Sequence, residues 1–144
     1  MIKIRKLLPN DVEYITSTWL KNYRSNSDTA KGMKNDVYFP EHHKLIHDAL
    51  VNFKVLVACN SDAQDQVFAW VVFDNKGYDL VHYSYCKKIY RDYAEVMPEL
   101  MKKVKTSDIC IYTHDSQKKE LKEFYEPKNM VFNPYMFLNE NYFK

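Results

Sequence analysis

Two histidines in the first half of the chain have a spacing that occurs in metal sites. His43 and His47 are four residues apart, so a helix would place both imidazoles on one face. Paired helical histidines bind zinc in the HExxH pattern, in which a glutamate follows the first histidine. Here Lys44 follows His43, and no third ligand is evident in the sequence. We therefore expect a solvated helix face and no metal site.

A basic stretch in the second half has features of a phosphate site. "CKKIYRDYAEVMPELMKKV" (86–104) is typical of a strand end, a short loop and a helix, in which Lys87 and Lys88 precede the helical run that begins at Arg91. A helix N-terminus favours anions through its exposed N–H groups and its dipole. Phosphate loops usually contain glycine, which lets the backbone approach closely, and this stretch contains none. The residues alone therefore leave open whether this stretch binds a phosphate.

An apolar strand just before this stretch carries two polar side chains. Alternation along "DLVHYSYC" (79–86) predicts that His82 and Ser84 share one face, opposite Val81, Tyr83 and Tyr85. A histidine with an ordinary pKa near 6.5 can accept a proton at neutral pH. The alternative is a half-buried histidine that only makes hydrogen bonds, and the sequence leaves both open.

Composition limits the class of protein. The chain has 144 residues and a net charge of +2, which favours a single domain over 1–144 and gives no electrostatic basis for binding nucleic acid. No apolar run approaches the roughly 18 residues of a membrane span, so we expect no membrane partner. Cys59, Cys86 and Cys110 form no CxxC pair and lie in apolar runs, which predicts buried thiols in a reducing compartment. A cytoplasmic location is therefore expected.

The first half predicts one strand and two helices. A strand is expected over 2–8, followed by a helix capped by Asn10 or Asp11. The polar stretch 25–36 is predicted to be a loop, and Pro40 is predicted to open the second helix.

The second half is richer in strands. Runs over 54–60, 66–74 and 79–86 predict three strands, and their short turns imply antiparallel neighbours. A helix is expected within 91–104, where Pro98 marks either a late start or a kink. The order is completed by a strand over 108–114 and a helix that is capped by Asp115 and ended by Pro127. One or two closing strands follow. The fold class is therefore α/β with a mixed sheet flanked by helices, in the order β-α-α-β-β-β-α-β-α-β-β.

This order, with these residues, resembles the GNAT N-acetyltransferase superfamily over nearly the whole chain. "IRKLLPNDVEYITSTW" is similar to the opening strand and helix of that family, and "LVHYSYCKKIYRDYAEV" stands where the family has its fourth strand and cofactor loop. "LKEFYEPKNMVF" resembles the closing family segment, with Phe124, Tyr125 and Glu126 in register. The short, lysine-rich GNAT-like proteins of phages are closest in character.

The resemblance implies acetyl-CoA as cofactor, bound at the end of the fourth strand and in the following turn. The implied cofactor-binding residues are Tyr85, Cys86, Lys87, Lys88, Arg91, Asp92, Tyr93 and Ala94. Arg91 matches the first position of the family pattern, whereas Ala94 and Val96 stand where the family has glycine or another small residue. Asp92 and Glu95 bring negative charge near the expected pyrophosphate, so the cradle departs from the family pattern.

Two catalytic positions also follow from the resemblance. Tyr125 stands where active members have the tyrosine that protonates the departing CoA thiolate, and a general base is expected on the fourth strand, which suggests His82. Tyr125 can equally be an aromatic residue on the apolar stripe of its helix.

Two functions are consistent with these observations. The first is an acetyl-CoA-dependent N-acetyltransferase, in which a small-molecule or peptide amine attacks the thioester directly. The second is a catalytically degenerate GNAT-fold protein that serves as a binding or phage virion-associated structural protein. A homodimer, an association with virion proteins, and a location in the host cytoplasm or the virion are left open.

Overall fold

The computed structural model describes residues 1–91 and 95–137, and it contains six strands and six α-helices within those ranges. The strands are β1 (Ile2–Lys6), β2 (Lys54–Asn60), β3 (Ala63–Asn75), β4 (Asp79–Cys86), β5 (Cys110–Tyr112) and β6 (Met130–Phe132). The helices are α1 (Asp11–Asn26), α2 (Asp28–Lys31), α3 (Asn35–Asn52), α4 (Lys88–Arg91), α5 (Val96–Val104) and α6 (Lys118–Leu121). Short 3-10 turns cover Asp115–Gln117, Pro127–Asn129 and Pro134–Phe137. The predicted order of elements is confirmed through β6 except for the short helices α2 and α4, which the sequence did not predict. A further closing strand after residue 137 would lie outside the described residues.

The strands form one mixed sheet in the order β1-β2-β3-β4-β5-β6. β1 to β4 are antiparallel neighbours, which the short connections predict for β2, β3 and β4, whereas β5 runs parallel to both β4 and β6. Gly77 has a φ of 82° in the turn between β3 and β4, a conformation that residues with a Cβ rarely adopt. The α/β fold class with a mixed sheet is therefore confirmed.

The core has two layers, one on each face of the sheet. Ile15 and Trp19 of α1 pack with Trp70 and other residues on one face, and Leu100 and Val104 of α5 belong to the cluster on the other face. β3 is buried on both faces from Val67 to Phe73, which is why its sequence is continuously apolar rather than alternating.

A β-bulge changes the face assignment in β4. Phe73 pairs with Val81 and Val72 pairs with Tyr83, so the register shifts by one residue at His82. Val81 consequently packs with the α5 cluster and Tyr83 with the α1 cluster. The predicted sharing of one face by Val81 and Tyr83 is therefore wrong, because strict alternation does not hold across a bulge.

The stretch predicted to be a loop over 25–36 is largely helical. Ser27 caps α2 by accepting a hydrogen bond from the amide of Ala30 at 3.2 Å. α3 begins at Asn35, so Pro40 lies inside this helix and does not open it. Tyr38 explains the early start, because its ring is fully buried and its hydroxyl donates to the carbonyl of Leu20 at 2.6 Å.

The C-terminal elements are shorter than predicted. Pro98 lies in the first turn of α5, which confirms the late helix start. Asp115 was predicted to cap a long helix, but its carboxylate instead accepts hydrogen bonds from the Ser27 hydroxyl at 2.9 and 3.0 Å. The helix after it is α6, which ends at Leu121, well before Pro127. The three cysteines are free and buried, as predicted.

Candidate functional site

A cleft opens where β4 and β5 diverge. The two strands pair from Asp79 to Val81 on β4, and the Thr113 amide adds a 3.3 Å contact to the Val81 carbonyl. Beyond that point the cleft has a volume of about 520 Å³, within the usual range for ligand sites. The described residues that line it come from α1, the end of β4, α4, the start of α5 and the α6 region: Asn22, Ser84, Tyr85, Cys86, Tyr90, Arg91, Glu95, Met97, Pro98, Lys119, Glu120 and Glu123.

A buried side-chain amide bonds the edge of β4 at Ser84, one of the residues that line this cleft. Gln117 Oε1 accepts from the Ser84 amide at 2.8 Å and from the Ser84 hydroxyl at 2.6 Å. Gln117 Nε2 donates to the Ser84 carbonyl at 3.2 Å. Buried backbone groups require partners, and with β5 diverging Gln117 supplies them for Ser84. Sequence reasoning missed Gln117, since nothing in "HDSQKK" indicates a partner 33 residues earlier.

A second side chain bonds the same strand edge. Arg91 Nε donates to the Cys86 carbonyl at 3.1 Å, two residues along β4 from Ser84. This bond holds Arg91 against the end of β4, where it lines the cleft. Burial raises the pKa of the Cys86 thiol to about 11, with Arg91 as a smaller opposing cause, so the thiol is protonated at neutral pH.

The charge of the cleft lining is mixed. Arg91 and Lys119 contribute positive charge, whereas Glu95, Glu120 and Glu123 contribute negative charge. Among the described lining residues the carboxylates therefore outnumber the cations by one, which weakens the attraction for a polyanionic ligand.

The other predicted cofactor residues lie away from the cleft or are not described. Lys87 Nζ lies 5.4 Å from the centroid of the Tyr14 ring, and Lys88 is exposed on α4. Asp92, Tyr93 and Ala94 fall between the described ranges 1–91 and 95–137. The structure thus brings Tyr85, Cys86 and Arg91 together in the cleft and leaves Lys87 and Lys88 outside its lining.

Tyr125 lies at the opposite end of β4. Its hydroxyl donates to Asp79 Oδ2 at 2.7 Å, and β4 spans roughly 23 Å from Asp79 to Cys86 at about 3.3 Å per residue. Burial, followed by the hydrogen bond to Asp79, raises the pKa of Tyr125. α6 ends at Leu121, and four residues later the Tyr125 hydroxyl contacts Asp79 at the start of β4. The proton donation predicted for Tyr125 has no geometric support in this arrangement.

His82 belongs to a buried chain of hydrogen-bonding groups. His82 Nδ1 lies 3.1 Å from Thr113 Oγ1, which lies 3.0 Å from His114 Nδ1, and His114 Nε2 lies 3.2 Å from His42 Nε2. Burial lowers the pKa of His82 to about 3 and that of His42 to about 4, and it also lowers the pKa of His114. All three imidazoles are therefore neutral near pH 7, and His82 is a weak base for an amine.

An aromatic cluster surrounds this chain on the α1 face. Trp19 stacks on Tyr83 with ring centroids 5.2 Å apart, and Tyr23 stacks on His42 at 5.0 Å. His114 meets both Trp19 and Tyr23 edge-on. The space beside the β4 bulge is thus filled by protein side chains.

Other features bear on the remaining predictions. The rings of His43 and His47 lie 4.3 Å apart on α3, and both residues are exposed. Across residues 1–91 and 95–137, no cluster of three or more His, Cys, Asp or Glu side chains could hold a metal ion.

None of the helices in the described part of the chain has the length and apolar composition that a bilayer crossing requires.

Several solved structures have the same architecture. The chain matches a possible acetyltransferase from Clostridium difficile 630 with a TM-score of 0.59 and 17% identity, covering 92% of each chain. A GNAT family acetyltransferase from Brucella melitensis, solved in complex with acetyl-CoA, matches with a TM-score of 0.51 and 14% identity over 83% of this chain and 80% of that one. The chain has the GNAT acetyltransferase fold. No protein-family model and no curated protein matches the sequence.

A ribosomal-protein-alanine N-acetyltransferase from Brucella melitensis biovar Abortus 2308 also shares the GNAT fold, with a TM-score of 0.50 and 12% identity over 92% of this chain and 79% of that one. At these identities the similarity establishes the GNAT fold and nothing about the substrate. The cleft at the divergence of β4 and β5 is therefore the candidate site because of its own chemistry. The edge of β4 offers backbone hydrogen-bonding groups there, and charged and polar side chains line the cleft.

Proposed function

We propose that the protein is an acyl-CoA-dependent N-acetyltransferase that binds its thioester substrate in the cleft between β4 and β5. The observation that carries this proposal is the cleft itself, which lies at the point where the two parallel strands of a GNAT fold separate. Ligands of α/β proteins bind preferentially at such breaks in a sheet.

The described residues fit the ligand in part. The cleft is large enough for an extended arm, the edge of β4 offers backbone groups at Ser84 and Cys86, and Arg91 stands at the end of the strand as a cation for a phosphate. Gln117 and Arg91 engage those backbone groups in this structure, so binding requires both side chains to exchange partners.

The chemistry expected in the cleft is direct acyl transfer. The bound thioester supplies an activated acyl group, an amine nitrogen forms a bond to its carbonyl carbon, and the C–S bond breaks. Glu95, Glu120 and Glu123 are the lining carboxylates that can take the proton of the amine, and Tyr85 and Tyr90 are the lining hydroxyls that can donate one to the thiolate. We assign no proton transfer to Tyr125 or His82, because neither residue lines the cleft.

The contact between Gln117 and Ser84 favours a second function. A GNAT-fold protein whose strand edge is closed by its own side chain, and whose cleft carries an excess of carboxylates among the described residues, suits a binding or structural role without catalysis. In this alternative the protein is a catalytically degenerate GNAT-fold protein. Its partner would be another protein, for example a component of a virion.

Binding of acetyl-CoA separates the two functions. We expect a hundredfold excess of acetyl-CoA over its dissociation constant to stabilise the folded protein by about 2.7 kcal/mol in a thermal-shift titration. Arg91→Ala should weaken binding about tenfold, because it removes the cation at the end of β4. Lys88→Ala is the matched control, since it removes one positive charge from the same helix outside the cleft lining. No thermal shift in the wild-type protein would refute the proposed enzyme and leave the binding function.

A further inference from the structure

The amide of Gln117 has the hydrogen-bonding character of an amide in an extended ligand. It presents one acceptor and one donor to Ser84, and these meet the backbone N–H at 2.8 Å and the backbone carbonyl at 3.2 Å. A neighbouring β-strand, or any ligand chain with amide groups, would bond the same pair. The pantetheine arm of CoA contains two amides, so it has the donors and acceptors to bond the same groups of β4.

The local structure around Gln117 favours exchange. Gln117 ends a three-residue 3-10 turn, and the helix that follows, α6, has only four residues. No long regular helix therefore fixes the backbone at this position within the described chain. Gln117 is nevertheless buried, with 1% of the residue exposed, and a ligand gains the bonds to Ser84 only when this side chain leaves.

We propose that Gln117 is an internal competitor for the edge of β4, which acyl-CoA must displace at Ser84, and that this residue sets the affinity for the cofactor. The inference rests on the proposed function. In this arrangement Gln117 satisfies the backbone groups of Ser84, and the same groups become available to a ligand when the side chain moves away. Because the exchange replaces one set of amide hydrogen bonds with an equivalent set, the competitor weakens binding without abolishing it.

The contact with Ser84 can be tested without any cofactor. In Gln117→Ala the Ser84 amide loses its acceptor, so its hydrogen exchange, measured by NMR, should become at least tenfold faster than in the wild-type protein. Gln64→Ala is the matched control, because Gln64 is an exposed glutamine on β3 that does not line the cleft. Unchanged exchange at Ser84 in Gln117→Ala would overturn the inference.

Competition is tested by calorimetric titration of acetyl-CoA, and of pantetheine, which lacks the phosphates. Gln117→Ala should bind both ligands about fivefold more tightly than the wild-type protein. In the variant, binding no longer requires the hydrogen bonds between Gln117 and Ser84 to break. Gln117→Asn, which withdraws the amide by one methylene, should change affinity in the same direction and serves if the alanine variant does not fold.

The outcomes distinguish the inference from the function on which it rests. Equal or weaker binding by both Gln117 variants, with binding by the wild-type protein, would overturn the inference and leave the proposed function. If neither the wild-type protein nor the two variants bind acetyl-CoA or pantetheine, while exchange at Ser84 is faster in Gln117→Ala, the proposed function is overturned and the inference falls with it.

Discussion

Replacement of Tyr125 by phenylalanine separates the role implied by the sequence from the role implied by the structure. The family resemblance makes Tyr125 the acid that protonates the thiolate, whereas the structure commits its hydroxyl to Asp79 at the far end of β4. Tyr125→Phe removes that hydroxyl and keeps the ring that packs in the α5 cluster. The structural account therefore predicts a loss of stability and no loss of catalysis.

The magnitude follows from the partners of Asp79. Hydrogen bonds to charged groups contribute about 1.5–3 kcal/mol. Asp79 Oδ2 still accepts from the amides of Thr106 at 3.1 Å and Ser107 at 3.3 Å after the substitution, so the carboxylate stays satisfied. The lower end of the range applies, and we expect the free energy of unfolding to fall by about 1.5 kcal/mol, or the Tm by about 5 °C.

Two assays decide the question. Urea denaturation measures the stability change, and thiol release from acetyl-CoA with a panel of amines measures the catalytic change. Tyr135→Phe is the control, because Tyr135 is 79% exposed and its hydroxyl should matter to neither. A fall in kcat of a hundredfold or more with unchanged stability, the usual signature of a lost general acid, would refute the structural placement of Tyr125.

Three further predictions follow from buried or charged groups. Asp79→Ala should lower the free energy of unfolding by about 3–5 kcal/mol in urea, because buried donors including the Tyr125 hydroxyl lose their acceptor, and a loss below about 1 kcal/mol would contradict this reading. Burial lowers the pKa of His42 to about 4, so the folded protein stays unprotonated there while the unfolded chain takes up a proton, and stability present above about pH 6.5 is lost as the pH falls toward 4. His42→Gln should reduce this slope by up to about 1.4 kcal/mol per pH unit, as measured by urea denaturation at pH 7.5 and 5.5. Glu120→Gln should raise the affinity for acetyl-CoA about threefold at low salt and less at high salt in calorimetry, and an effect independent of salt would count against an electrostatic cause.

Sequence patterns predicted best the strands whose buried positions are filled by apolar and aromatic residues between clear turn signals. β2 and β4 have their predicted bounds, because the flanking turns and the Val- and Tyr-rich runs are local signals. Gly77 marks the turn between β3 and β4 through its positive φ. The predicted loop over 25–36 is wrong because Ser27 caps the short helix α2 and because Tyr38, buried through its contact with α1, draws the start of α3 back to Asn35.

The candidate site was only partly predictable. Arg91 was predicted through the family resemblance, because it matches the first position of the cofactor-loop pattern after the fourth strand, and the structure places it in the cleft lining. Gln117 was not found, because its bonds to Ser84 depend on the divergence of β5 from β4, which has no sequence signature. His82 was placed by strict alternation, and the bulge in β4 is an irregularity that alternation does not reveal.

The most direct test of the central claim is a comparison of amide NMR spectra with and without acetyl-CoA. The account predicts that the amides of Ser84, Tyr85 and Cys86 shift on addition of the ligand, because the edge of β4 exchanges Gln117 and Arg91 for the bound arm. Spectra in which these amides stay fixed at saturating acetyl-CoA would contradict the claim that the cleft is an acyl-CoA site.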